Sequence, residues 1–283
     1  MDHISKALEK AQTDRKSVRN WVNPQGATAA DQVQPVTPVE IDALRPVELD
    51  KTHLQEHFVL CDVATDDPVI TDVYRLLRTR VLQAMRGRGW HRIGITSAGP
   101  KAGKTLNAIN LAIAVAREGS YNVVLIDADV RRPSVANTLG LEVEYGMMDY
   151  LTGEASLEQV LVRPGNFPNL TIIPGQLDDA DRATPEALSS DRVIDLLEAG
   201  SRKDVRNLVI VDLPPVLVGD DVLALAPRLD GLVLVVSEGV TDLEQLERAV
   251  ALLKDFPILG TVLNNSRERS KAVEGYYYHV QPT

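Results

Sequence analysis

An apolar run that ends in a glycine-rich turn closing on Gly-Lys-Thr constrains this chain more than any other feature. Ile93, Gly94, Ile95 and Thr96 form the run, and residues 97–103 form the turn. Lys104 and Thr105 then open a helical apolar pattern of Leu106, Ile109, Leu111, Ala112 and Val115. Strand, loop and helix in this order is the setting that a phosphate-binding loop needs. Backbone N–H groups of the loop and of the following helix N-terminus converge on one spot and favour an anion there. Gly99, Pro100, Lys101, Ala102, Gly103, Lys104, Thr105 and Leu106 would line it. Lys104 supplies a mobile positive charge for β- and γ-phosphates, and the Thr105 hydroxyl is a ligand for Mg²⁺. Ala98 stands where the usual pattern has its first glycine.

Around this motif short apolar runs alternate with helical patterns. Strands are expected at 92–97, 122–127, 170–174, 208–212, 232–237 and 258–263, and helices at 69–85, 104–117, 185–198, 221–226 and 242–254. Continuous apolar strands separated by helices predict an α/β fold of the P-loop NTPase kind, a mostly parallel central sheet covered on both faces. Ligands of such sheets sit at the carboxyl ends of the strands. The domain is expected to span 69–265. Before it, Ile4, Ala7, Leu8 and Ala11 give residues 1–20 an amphipathic helical spacing, and Pro24, Pro35, Pro38 and Pro46 mark 21–68 as a flexible linker. Residues 266–283 form a tail.

The bulk numbers exclude several classes. A chain of 283 residues with 44% apolar content buries a full core. A net charge of −10 argues against a general nucleic-acid binder. The single cysteine, Cys61, permits neither an internal disulfide nor a cysteine metal cluster, and is expected to be a buried or inert thiol. No apolar run approaches the roughly 18 residues that cross a bilayer, and Met1-Asp2-His3 does not open a signal peptide. The expected location is the cytoplasm, with any membrane attachment made through another protein.

Two further strands end in acids. Residues 123–126 lead into Asp127, Ala128, Asp129, Val130 and Arg131, and residues 209–211 lead into Asp212. Asp127 and Asp129 are two apart, so on an extended chain both face one side. One reaches a metal or its waters, and the other can take a proton from an attacking hydroxyl. An Asp-x-Asp by itself is more often a loop cap. Three strand-terminal motifs in succession are a stronger signal, and they predict a Mg-ATP site built from Lys104, Thr105, Asp127, Asp129 and Asp212. Asn264 closes the last strand, where its amide either contacts an adenine edge or forms a turn with Asn265.

The C-terminus sets Tyr276, Tyr277 and Tyr278 in a row. Adjacent phenols beside a Mg-ATP site suggest phosphate acceptors, the alternative being an aromatic tail packed on a subunit surface. Each phosphate would add about −1.5 to −2 charges.

With these residues the chain resembles the bacterial tyrosine kinases of exopolysaccharide synthesis, in their separate cytoplasmic form, and is similar to the autokinases encoded beside exosortase-type polysaccharide systems. Residues 103–105 match that family's Walker A motif, 125–131 its second aspartate motif and 209–214 its Walker B motif. The tail matches its tyrosine cluster. The family's Glu-x-x-Arg-x-x-Arg helix, which builds a subunit ring, corresponds to Asp72, Arg75 and Arg78, with a shorter acid at the first position. Without the resemblance Arg75 and Arg78 read as a solvated helix face. The resemblance implies ATP-dependent phosphorylation of tail tyrosines between subunits. Lys104 would stabilise the transferred phosphoryl group and Thr105, Asp129 and Asp212 would hold Mg²⁺. Asp127 would act as base, a role exchangeable with Asp129. Implied partners are a homo-oligomeric ring and a membrane polysaccharide co-polymerase that recruits and activates the enzyme.

Two rival readings share the fold. A positioning ATPase of the ParA/MinD kind hydrolyses ATP without phosphorylating protein, but commonly carries a further lysine four residues before the second loop glycine, where this chain has Gly99. A non-catalytic nucleotide-binding scaffold is opposed by the intact Lys104 and acids.

Overall fold

The computed structural model describes residues 40–60, 67–176, 184–199, 202 and 205–266. In chain order the strands are β1 (Pro46–Val47), β2 (Arg92–Ser97), β3 (Tyr121–Asp127), β4 (Arg163–Pro164), β5 (Leu170–Ile173), β6 (Arg206–Asp212), β7 (Gly231–Ser237) and β8 (Ile258–Asn264). The α-helices are α1 (Lys51–Glu56), α2 (Pro68–Arg86), α3 (Lys104–Glu118), α4 (Val135–Leu139), α5 (Met147–Thr152), α6 (Pro185–Ser189), α7 (Arg192–Glu198), α8 (Asp221–Leu225) and α9 (Leu243–Leu252).

The main sheet has six strands in the order β5-β3-β6-β2-β7-β8, every neighbouring pair parallel. Successive residues of a strand point to opposite faces, so an uninterrupted apolar strand feeds two cores at once. Val123, Leu125, Leu208, Ile210, Ile93, Ile95, Val233 and Val235 pack on the side of α2 and α3. Val124, Ile126, Val209, Val211, Leu232, Leu234 and Val236 pack on the other side, with α7, α8 and α9. β8 is the sheet edge and stays half-exposed along its length.

β6 lies between β3 and β2, although it follows both in sequence. Its register sets Asp212 opposite Asp127 on β3 and opposite Ile95 on β2. The strand that carries the phosphate loop thus has one acid-bearing strand, β6, directly beside it and the other, β3, just beyond β6, with all three ending on the same side of the sheet.

Three sequence expectations change. Residues 40–60 are not part of a flexible linker. Pro46 and Val47 pair with Arg163 and Pro164 of β4, the Asp50 side chain caps α1, and Ile41, Leu49, Leu54, Val59 and Leu60 are buried in the cores. The prolines interrupt any long period, and a segment this short shows no periodicity, yet these five apolar side chains are buried against the domain, while Val47 and Phe58 stay exposed. The single helix expected at 185–198 is two, α6 and α7, because Ser190 turns to ψ 158° between them. The loops after β3 contain the short helices α4 and α5, too brief to give a periodic signal. The expected N-terminal helix, the rest of the linker at 21–39 and 61–66, Cys61 and the tail beyond 266 lie outside the described residues.

Candidate nucleotide-binding site

The loop between β2 and α3 turns on two left-handed residues, Lys101 at φ 63° and Gly103 at φ 87°. Glycine is favoured at 103. Its φ disfavours a side chain, and a Cβ there would strike the Asn264 amide. Gly103 is also the N-cap of α3, and no side chain caps it. The first N–H groups of a fifteen-residue helix therefore face the loop's concavity, where an anion completes them. Ala98, in the place of the usual first glycine, is fully buried at the end of β2, and its carbonyl accepts from Leu217 N at 3.2 Å. Gly99 and Pro100 continue the turn, Ala102 is buried, and Leu106 is half-buried in the first turn of α3.

The charged groups converge as the strand order requires. Lys104 Nζ is 2.7 Å from Asp129 Oδ2, 3.4 Å from Asp212 Oδ1 and 3.2 Å from Thr105 Oγ1. The Thr105 hydroxyl donates to Asp212 Oδ2 at 2.6 Å. Asp127 has no exposed surface, and its oxygens accept from the backbone N–H groups of Asp129, Ser134 and Val135 at 3.2, 2.9 and 2.9 Å. It thereby holds the loop that carries Asp129 toward Lys104.

Burial, followed by the nearby Asp212 charge, pushes the Asp127 carboxyl up to about 7. Burial also raises Asp212, against the pull of Lys104 and the Thr105 hydroxyl. For Lys104 burial favours the neutral form, but Asp212 and Asp129 outweigh it and the pKa lies above its ordinary value. With all groups ionised, one ammonium faces three carboxylates. The remaining negative charge suits a divalent cation.

The donor set also fits Mg²⁺. A hydroxyl and carboxylates are hard oxygen ligands, and Mg²⁺ is ordinarily held by one or two carboxylates, waters and substrate phosphates rather than a closed protein cage. Among the described residues no cluster of three or more His, Cys, Asp and Glu forms such a cage.

Ser134 was not singled out from sequence. Its hydroxyl donates to Thr105 Oγ1 at 3.1 Å and its N–H to Asp127. A serine just before an apolar residue, closely following the Asp-x-Asp, was the available signal. Asn264 Nδ2 donates to the Ala102 carbonyl at 2.9 Å, so this amide braces the loop, while Asn265, at φ 55°, makes the turn. Asp72, Arg75 and Arg78 lie on α2 rather than among the charged groups of the site. Asp72 and Arg75 pair at 3.1 Å on an exposed surface, and Arg78 donates to the Ala114 carbonyl of α3 at 3.2 Å. Tyr276, Tyr277 and Tyr278 lie outside the described residues.

The chain is similar to several known proteins. The ParA family model, described as an NUBPL iron-transfer P-loop NTPase, matches residues 90–278. The tyrosine-protein kinase YwqD of Bacillus subtilis is 35% identical over 210 residues, covering 73% of this chain and 86% of YwqD. The chain belongs to the bacterial tyrosine-protein kinase family. The kinase spans only 29% of the tyrosine-protein kinase Etk of Escherichia coli, to which it is 30% identical over 218 residues. The solved kinase domain of the Escherichia coli tyrosine kinase Etk is 30% identical, with a TM-score of 0.65 over 75% of this chain and 81% of that structure. The septum site-determining protein MinD of Pyrococcus horikoshii, solved with Mg-ADP, is more distant, with a TM-score of 0.52 over 65% of this chain, 75% of its own chain and 25% identity. The kinase is therefore a protein-tyrosine kinase on the P-loop NTPase fold with ATP and Mg²⁺ as cofactors, and among its described residues no helix is long and apolar enough to cross a membrane.

Proposed function

We propose that the chain is an autokinase that transfers the γ-phosphoryl group of ATP to Tyr276, Tyr277 and Tyr278 of a neighbouring copy. The observation that carries this reading is the meeting of Lys104, Thr105, Asp129 and Asp212 beside an uncapped helix N-terminus. Lys104 exchanges its carboxylate partners for phosphate oxygens when nucleotide enters. Thr105, Asp129 and Asp212 hold the metal, and Ser134 orients the Thr105 hydroxyl. Bound Mg²⁺ supplies charge neutralisation on the phosphates. Asp127 is the base for the phenol proton, and its pKa of about 7 suits that task. Its oxygens lie against backbone N–H groups, so the role requires a small opening of the 128–134 loop, and Asp129 is the exchangeable candidate.

The relatives' kinase roles extend the proposal. Copies assemble through the α2 face bearing Asp72, Arg75 and Arg78, and a membrane polysaccharide co-polymerase recruits the assembly to the inner face of the membrane and activates it. Cycles of tail phosphorylation, each adding negative charge, loosen the ring and regulate exopolysaccharide polymerisation or export. Incubation of the full chain with Mg-ATP, followed by phosphosite mapping in wild type, Lys104→Met and a variant with Phe at 276, 277 and 278, tests this. Tail phosphate in wild type and in neither variant supports the autokinase. Phosphate release without modified tyrosine, repeated in the presence of the partner's cytoplasmic segment, supports a positioning ATPase and overturns it.

A further inference from the structure

Two side-chain amides grip consecutive carbonyls of the phosphate loop. Asn264 Nδ2 donates to the Ala102 carbonyl at 2.9 Å, and Asn107 Nδ2 donates to the Gly103 carbonyl at 2.9 Å. A peptide unit is planar and trans, so the N–H points opposite to its carbonyl. Holding the carbonyl of 102 aims the N–H of Gly103, and holding that of 103, which the Asn107 side chain does together with the Asn107 backbone N–H at 3.1 Å, aims the N–H of Lys104. Both amides belong to the concavity described above.

Asn107 is itself held from outside the loop. Its Oδ1 accepts from the Tyr74 hydroxyl at 3.4 Å, across from α2. Tyr74 is 7% exposed, and Asn107 is 4% exposed. An amide has two donors at one end and only acceptors at the other. Were Asn107 reversed, its oxygen would face the Gly103 carbonyl, acceptor against acceptor. A hydroxyl donating to Oδ1 favours the orientation that leaves the NH₂ for Gly103. Burial raises the Tyr74 pKa, with a hydrogen bond to Asn110 opposing, so the phenol keeps its proton at neutral pH. Asn110, one turn further along α3, also accepts from Leu60 N at 2.8 Å and donates to the Phe58 carbonyl at 3.0 Å.

We infer that Tyr74 is a positioning residue for the nucleotide, acting through Asn107 to aim the Lys104 N–H at the phosphates. The inference rests on the assignment of 99–106 as the nucleotide loop. It gives α2 a direct line to that loop: Tyr74 lies on the buried side of the helix, between Asp72 and Arg75, whose side chains stand on its outer surface. A contact that shifts α2 therefore moves a group on which the loop's amide geometry depends.

Titration calorimetry of the full chain with Mg-ADP tests it in wild type, Tyr74→Phe, Asn107→Ala and the double variant, with Lys104→Met as a control. Tyr74→Phe keeps the ring in the core and removes only the hydroxyl. It is expected to weaken Mg-ADP about three- to tenfold, in keeping with the loss of one buried hydrogen bond. The double variant is expected to bind no more weakly than Asn107→Ala alone, because Tyr74 acts through Asn107. A purely structural role would instead lower the urea midpoint of Tyr74→Phe and leave its affinity unchanged, and that result overturns the inference. Losses that multiply in the double variant overturn it as well. If wild type binds no Mg-ADP, the nucleotide assignment fails first. If wild type binds, Lys104→Met binds more weakly and Tyr74→Phe matches wild type, only the Tyr74 inference fails.

Discussion

Replacing Lys104 by methionine keeps a side chain of similar length and removes the ammonium 2.7 Å from Asp129 and 3.4 Å from Asp212. Lys104 and the three acids are all buried. Removing one partner of a buried ion pair costs about 3–5 kcal/mol, because the other charges are left uncompensated away from water. Methionine fills the space, so little of the loss comes from a cavity. For a domain of this size that corresponds to a fall in Tm of roughly 6–20 °C. The loss should also depend on pH. Asp127 and Asp212 have carboxyls raised above their unfolded value, near 3.9. Such a group stabilises the fold most below its unfolded pKa, and that stability is lost as pH rises through the folded pKa, for Asp127 between about 4 and about 7. Lys104 lowers both carboxyls. Its removal raises them further, extending the loss to higher pH. The deficit against wild type should therefore widen between pH 5.5 and pH 8. Urea midpoints in EDTA without nucleotide measure it, provided m is unchanged. A variant as stable as wild type at pH 8, or a deficit that does not vary with pH, would refute the charge argument and leave Lys104 as a packing residue.

Gly103→Ala puts a methyl against the Asn264 amide at a left-handed φ of 87°, and should weaken Mg-ADP about five- to thirtyfold by calorimetry, matching a left-handed cost of about 1–2 kcal/mol. Leu54→Ala should cost about 2–5 kcal/mol in urea unfolding, because Leu54 is fully buried; a negligible cost would return residues 40–60 to the status of a linker. Asp221→Asn breaks a pair in which Arg131 Nε lies 2.7 Å from a buried carboxylate. With the arginine partly solvated the loss should be about 1–2 kcal/mol, read from the same midpoints.

What could be read from the chain was what neighbouring residues decide together. Residues 93–105 carry strand, turn and helix within one window, and the apolar runs before Asp127 and Asp212 end where the strands end. Periodicity and turn chemistry are local, so the fold class and most of the site residues were legible there. The meeting of Asp127 with Asp212, and of both with Lys104, depended on β6 inserting between β3 and β2, a pairing between segments about 85 residues apart. No local rule sets that order. Ser134, Asn107 and Tyr74 are ordinary cap, helix and core residues in the sequence, and acquire roles only because packing brings them to Thr105, to Gly103 and to each other. The segment 40–60 has too little length to announce itself, and its structure is conferred by the surface it covers. Local chemistry chose the phosphate loop, and long-range packing chose which acids, amides and hydroxyls surround it.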